Sequence, residues 1–300
     1  MVTTIDVSAF IYNLHGKPSF EVVKQWFTFQ RKVLFDLYGN FFDDKDRFRI
    51  YLYLCKFYSV KDNLSMLSKQ KINVDLGYAT LAANSTKLNN YSPIVDAVLD
   101  SLEAEHFIQR RGISIRSSFR CSLLTAPDYN PQTQKFTSNA DIPCNHANLK
   151  GINHGFIMVP TKAVTKERLR NTPGTRQTWN DRRLKFLLML YAHCHIEYFG
   201  GIDKRIVSIN PAGKMSLDEG FCYNLNVSPS AALTTMEWLL RKGEFVPVRC
   251  YFLRGVYYGD VGKCKPNPDL KEHIILRPKY LIKHTFDSLE MKKIKGRMFI

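Results

Sequence analysis

The fold turns on Arg182–Asp260, RRLKFLLMLYAHCHIEYFGGIDKRIVSINPAGKMSLDEGFCYNLNVSPSAALTTMEWLLRKGEFVPVRCYFLRGVYYGD. Arg183–Phe199 reads as a long apolar helix and Met215–Leu225 as a short one. Val227-Ser228-Pro229 forms a turn, and Ser230–Lys242 a third helix. Phe245–Phe252 and Val256–Tyr258 read as a strand pair turning near Arg254-Gly255. Three helices followed by a β-hairpin are the order of a winged helix, whose third helix enters a DNA major groove.

Working outward, residues 46–124 repeat this plan. Ser92-Pro93 opens a helix with a cap followed by proline, and Ile94, Val95, Val98, Leu99 and Leu102 form its apolar stripe. Aligning Phe107-Ile108 with Phe245-Val246 places Val95 opposite Leu233, Val98 opposite Met236 and Leu102 opposite Leu240. Ile113 and Ile115, then Phe119, Cys121 and Leu123, alternate as two strands. Tyr78–Asn84 and Leu64–Lys71 read as short helices. A longer helix starts at Asp43-Asp44 and carries Phe48, Tyr51, Leu52, Cys55 and Tyr58 on one face. Ser19–Tyr38 reads as a further helix.

Thr125–Lys150 holds Pro127, Pro131 and Pro143 and little apolar content, the composition of a linker. The expected architecture is α+β and mainly helical, with two tandem winged-helix domains. Residues 1–124 hold N-terminal helices and the first domain, and 125–150 the linker. Residues 151–300 hold the second domain and a basic C-terminal tail.

Lys and Arg number 43 against 27 Asp and Glu, a net charge of +16. From Gly151 onward the count is 25 against 13, a net +12, which leaves +4 for the preceding residues. Such an excess suits a polyanion, most simply nucleic acid; solubility charge and anionic lipid are the other readings. The seven cysteines contain no CxxC and sit mostly in apolar segments, as reduced thiols do in a cytoplasmic protein. MVTTIDVSAF lacks the basic start of a signal peptide. Phe186–Ala192 is far too short to span a membrane, so no membrane association is expected.

No P-loop or Rossmann fingerprint occurs. His193-Cys194-His195 with Glu197 invites a metal reading. On a helix, however, only His193 and Glu197 share a face, and the spacing matches no common zinc pattern. The chain is therefore read as a non-enzyme without metal or cofactor.

Candidate DNA contacts follow from the two helix–hairpin plans. Ser228, Ser230, Thr234, Thr235 and Arg241 lie on the polar face of the later third helix, and Arg249 and Arg254 on its hairpin. Lys87, Asn89, Asn90, Tyr91 and Ser92 cluster at the start of the earlier helix, where asparagines suit adenine readout. Arg110, Arg111, Arg116 and Arg120 line the earlier hairpin. Asp96, Asp100, Glu103 and Glu105 must then point away from DNA. Lys162, Lys166, Arg168, Arg170 and Arg176 form a further basic set suited to gripping the backbone.

Gly155–Pro160 (GFIMVP), the helix containing RLKFLLMLYAH, and SLDEGFCYNLNVSPSAALTTMEWLLRKGEFVPV together resemble the winged-helix region of plasmid and phage replication initiators. The resemblance covers roughly residues 155–260 and is one of pattern. It implies sequence-specific binding of double-stranded DNA at origin repeats, and host replication proteins as partners. A transcription regulator using the same surface, and a non-catalytic structural or interaction protein of a mobile element, are the alternatives. A metal-dependent nucleic-acid enzyme is a further one. The sequence does not set the oligomeric state.

Overall fold

The computed structural model describes residues 3–11, 21–35, 44–58, 65–81, 88–89, 92–112, 118–130, 132–133, 135–137, 155–170, 178–194, 201–253, 256–260 and 269–282. The chain divides into two compact units. One is discontinuous, Met1–Gln25 with Phe186–Ile300, and the other is central, Trp26–Lys185. The discontinuous unit begins with β1 (Ile5–Asp6) and β2 (Glu21–Val23).

The central unit opens with β3 (Trp26–Gln30), followed by α1 (Arg31–Phe35) and α2 (Lys45–Phe57). Asp44 caps α2 by accepting from the backbone N–H groups of Asp46 and Arg47, which satisfies donors the helix leaves open. Every residue from Phe48 to Cys55 is buried, so α2 is enclosed on all sides, as a core helix is. Next come β4 (Ser65–Ser68) and α3 (Lys69–Leu76). Ser68 caps α3, and Gly77 closes it in the left-handed conformation at φ 80°. β5 (Thr80–Leu81) pairs with β6 (Leu88–Asn89), and α4 (Ile94–Ala104) buries Val95, Val98, Leu99 and Leu102. β7 (Ile108–Arg111) and β8 (Ser118–Leu123) follow. Together with β4 they form a sheet of order β4-β8-β7 whose buried face carries Leu67, Phe119, Cys121, Leu123 and Ile108.

β9 (Asp128–Asn130) pairs with β10 (Lys135–Thr137), and β11 (Phe156–Pro160) returns to pair with β3. α5 (Lys166–Leu169) follows, and the boundary between the units falls inside α6 (Asp181–Ala192). Gln30, at the end of β3 and 2% exposed, is a polar staple of this core. Its amide nitrogen donates to Tyr51 Oη and to the Leu124 carbonyl, both at 2.8 Å, and its oxygen accepts from the Ala126 N–H at 2.8 Å.

In the discontinuous unit, β12 (Val207–Ile209) and β13 (Lys214–Leu217) form a sheet with β1 in the order β1-β13-β12. Asp218 caps α7 (Glu219–Asn224) and Ser228 caps α8 (Pro229–Arg241). Between the helices, Asn226 takes φ 51°, a left-handed turn that asparagine tolerates better than most residues. α8 buries Ala232, Leu233, Met236, Leu239 and Leu240. β14 (Phe245–Leu253) is the middle strand between β15 (Val256–Asp260) and β16 (Leu270–Pro278), and β17 (Tyr280–Ile282) pairs in parallel with β2.

The expectation of a mainly helical chain built from two tandem winged-helix domains is corrected. The class is α+β, with strands throughout both units. The presumed repeat also has different sheets in its two copies. β7, the first hairpin strand of the earlier copy, lies at a sheet edge, whereas its counterpart β14 is central. The earlier hairpin is joined by β4, which precedes it in the chain, and the later one by β16, which follows it.

Several local expectations change with it. Ser19–Tyr38 supplies β2, β3 and α1 instead of one helix, because Val22, Val23, Trp26, Phe27, Thr28 and Phe29 suit a pleated, half-buried surface once strand partners arrive. The first half of Leu64–Lys71 is β4, Thr80-Leu81 is β5, and Met215–Leu217 belongs to β13. Thr125–Lys150, expected as a linker, contains β9 and β10, while 138–154 lies outside the described residues.

Candidate nucleic-acid interface

The hairpin β7–β8 decides which arginines meet solvent. Side chains alternate along a strand. Ile108 and Arg110 therefore turn inward with Leu123 and Cys121, and Gln109 and Arg111 turn outward opposite Ser122 and Arg120. The side chain of Arg110 is only 6% exposed. It reaches α4, where its Nε lies 2.8 Å from Glu103 Oε2 and its Nη2 lies 2.7 Å from Asp100 Oδ1. Burial works against its charge, and the two carboxylates outweigh that penalty, so its pKa is raised. Arg110 thus ties the hairpin to α4 and is no DNA contact.

Arg111 and Arg120 differ. They are register partners, both exposed, which puts their Cβ atoms about 5 Å apart. Among the described residues neither has an acidic partner, and Arg111 meets only the neutral side-chain oxygen of Gln109, at 3.0 Å. The next residue in the same row is Met66 on β4, paired with Arg120 and 74% exposed. Ser68, Ser118, Ser122 and Gln109 complete the outward face of this sheet among the described residues, with no carboxylate. Like charges placed opposite each other destabilise a strand pair. The pair therefore sets two positive charges side by side on this face with no acidic partner among the described residues.

The acids of α4 and of its C-cap are engaged elsewhere than on this face. Asp96 pairs with Lys69 at 2.6 Å, Asp100 and Glu103 hold Arg110, and Glu105 pairs with Arg47. At the start of α4, Ser92 Oγ accepts from the Ile94 N–H at 3.3 Å. Asn89 is described only through the backbone pairing of β6 with Thr80. Lys87, Asn90, Tyr91, Arg116, Arg176 and Arg254 lie outside the described residues.

Two members of the basic set before α6 are engaged within the central unit. Arg168 lies 4.2 Å above the Trp179 ring and bonds the Ala163 carbonyl at 2.8 Å. Lys166 pairs with Asp75 at 2.8 Å. Lys162 and Arg170 are exposed.

In α8 the expected polar face is only partly available. Thr235 is buried, and its hydroxyl bonds the Ala231 carbonyl at 2.9 Å. This corrects its outward placement: Thr235 follows Thr234 by a rotation of about 100°, which turns it toward the core beside Leu239. Thr234 is exposed but bonds the Ser230 carbonyl at 2.9 Å, the local back-bonding typical of threonine in helices. Ser228 caps the helix, with its Oγ 3.2 Å from that of Ser230. Arg241 pairs with Glu237 at 2.6 Å, and Arg249 with Glu272.

The His193 ring stands edge-on to Phe221 at 5.7 Å. His195 and Glu197 lie outside the described residues. Among the described residues no group of three or more His, Cys, Asp or Glu is placed to hold a metal, and no helix is long and apolar enough to cross a membrane. Met66 carries little signal in the sequence, since it lies between Ser65 and Leu67 in the short mixed run Ser65–Ser68. Comparison with protein-family models, curated proteins and solved structures found no match to this chain.

Proposed function

We propose that this chain is a sequence-specific double-stranded DNA-binding protein that acts as a replication initiator of a plasmid or phage. The observation that carries the DNA reading is the exposed cross-strand pair Arg111–Arg120 on a sheet face that shows no carboxylate among the described residues. A phosphodiester supplies an anion to such a pair, and guanidinium groups match phosphate oxygens with two parallel donors. The net charge of +16 works in the same direction at longer range. The resemblance of residues 155–260 to replication initiators makes an origin with direct repeats the first DNA to test.

The test is selection of bound fragments from random duplex DNA at two salt concentrations, followed by footprinting of the enriched sequence. Enrichment of a motif that recurs as direct repeats beside an origin is expected. An enriched operator overlapping a promoter would assign the chain to transcription control instead. No retention of DNA at either salt concentration would sink the DNA reading altogether.

A further inference from the structure

We propose that the outward face of the β4-β8-β7 sheet lies against DNA from the minor-groove side, with Met66 as an apolar wedge between base steps and Arg111 and Arg120 on the neighbouring phosphates. This rests on the DNA-binding reading and specifies how that site would be used.

Met66 is the most exposed of the large hydrophobic side chains described, at 74%. A single exposed apolar residue is ordinary on a protein surface, so exposure alone says little. Its address says more. The register aligns Met66 with Arg120, and Arg120 with Arg111, in one row across three strands. Neighbouring strands lie about 4.8 Å apart, so the row spans about 10 Å from Met66 to Arg111. The minor groove is about 6 Å wide between its walls. An apolar side chain in the groove with two cations over one wall fits that dimension.

β4 is an edge strand, so Met66 stands at the rim of the sheet, where a side chain reaches past it into a groove. Methionine is long, unbranched and flexible, and fills irregular gaps. It is also among the side chains that minor-groove proteins insert at a base step. Among the described residues, those around the row are serines and a glutamine, which do not repel phosphate.

A wedge must unstack a step, and pyrimidine–purine steps yield most easily. The preferred site should therefore contain a TA or CA step at a fixed distance from the phosphates that the arginines hold.

The experiment uses the full chain and duplexes in which the fluorescent adenine analogue 2-aminopurine replaces the adenine of a TA step, or an adenine directly beside a GC step placed at the same position. Binding of the unaltered protein should raise the emission several-fold on the TA duplex. Met66→Ala should return it to near the free-duplex level and weaken binding by about tenfold, the scale of losing part of one buried methionine side chain. Its salt slope should stay unchanged, and Met66→Leu should keep the emission. The double variant Arg111→Gln with Arg120→Gln should lower the salt slope by about 2, while the complex that remains still emits.

Unchanged emission and affinity in Met66→Ala, with the slope still falling in the arginine variant, would overturn the wedge and leave DNA binding in place. Conversion by Met66→Ala of a self-associated species to a smaller one, with no change toward DNA, would give β4 to a second copy of the chain and overturn it too. Absence of DNA binding by the unaltered protein would remove both readings.

Discussion

Arg111 and Arg120 face each other across the β7–β8 hairpin as register partners, both exposed and neither with a described acidic partner. Their Cβ atoms lie about 5 Å apart, and two unit charges at that distance or beyond repel in water by no more than about 0.8 kcal/mol. The unit holds acids that would remove it. Asp100 and Glu103 instead serve Arg110, Glu105 serves Arg47 and Asp96 serves Lys69. Replacement of Arg111 or Arg120 by Gln should therefore leave stability unchanged or raise it by less than about 1 kcal/mol. The slope of log affinity against log salt should fall by about 0.9 for each. Urea titration and DNA binding at several salt concentrations check the two halves. A normal slope in both single variants would remove the pair from the interface.

Gln30→Leu should destabilise the central unit. The glutamine serves three buried partners: Tyr51 Oη, the Leu124 carbonyl and the Ala126 N–H. Leucine fills similar space and leaves polar groups buried without partners, at about 1–3 kcal/mol each. A total loss of about 3 kcal/mol or more is expected in denaturant unfolding.

Gly213→Ala should loosen β1. Gly213 has φ +80°, and a Cβ there would stand 2.8 Å from Ser8 Cα and Cβ. Its carbonyl also accepts the Val7 N–H at 2.8 Å. Alanine carries both the strain of the left-handed conformation and a clash with backbone, at about 1–3 kcal/mol. Limited proteolysis should cut near Ile5–Phe10 in the variant under conditions that spare the parent. Equal protection would refute the close approach.

The network of Tyr53, Asp75 and Lys166 should make stability depend on acid. Tyr53 Oη donates to Asp75 at 2.7 Å, and Lys166 Nζ lies 2.9 Å from the same carboxylate. Burial works to raise the pKa of Asp75, and the bonds from Lys166 and Tyr53 outweigh it, leaving it below the ordinary 3.8. A depressed folded value stabilises the fold fully above the unfolded value and loses that contribution as pH falls through the folded one. Asp75→Asn should therefore be less stable than the parent near neutrality. The difference should narrow as pH drops below about 4, in urea titrations run across that range. A constant difference would mean that the charge of Asp75 contributes nothing.

Cys121 should resist thiol reagents in the folded protein. Burial pushes its pKa up to about 12, opposed by nearby Arg110, so almost no thiolate is present near pH 8. Disulfide-exchange reagents should modify it only on unfolding. Rapid labelling without denaturant would show that β8 opens.

Helices with strong periodicity were legible from the residues. Asp44 before α2, Ser92-Pro93 before α4 and Ser228-Pro229 before α8 mark their starts, and the buried positions of α4 and α8 match the apolar spacing apart from Ile94, which is exposed, and Thr235, which is buried. The strands β1, β2 and β3 were not legible. Their partners are β13, β17 and β11, more than a hundred residues further along the chain, and short aromatic or branched runs read equally as helix until a partner is present. The site was legible in part, since the basic hairpin stood out while Met66 did not.

By itself the sequence determined the net positive charge, the amphipathic helices with their caps, and the concentration of arginines at residues 110–120. Periodicity, capping and charge are local properties that neighbouring residues settle. Only the tertiary structure decided which arginines face outward. Arg110 and Arg111 are adjacent and chemically identical, yet alternation along β7 turns the first onto the carboxylates of α4 and sets the second opposite Arg120. That choice depends on strand register and on where a helix packs, and both are fixed by contacts between distant parts of the chain.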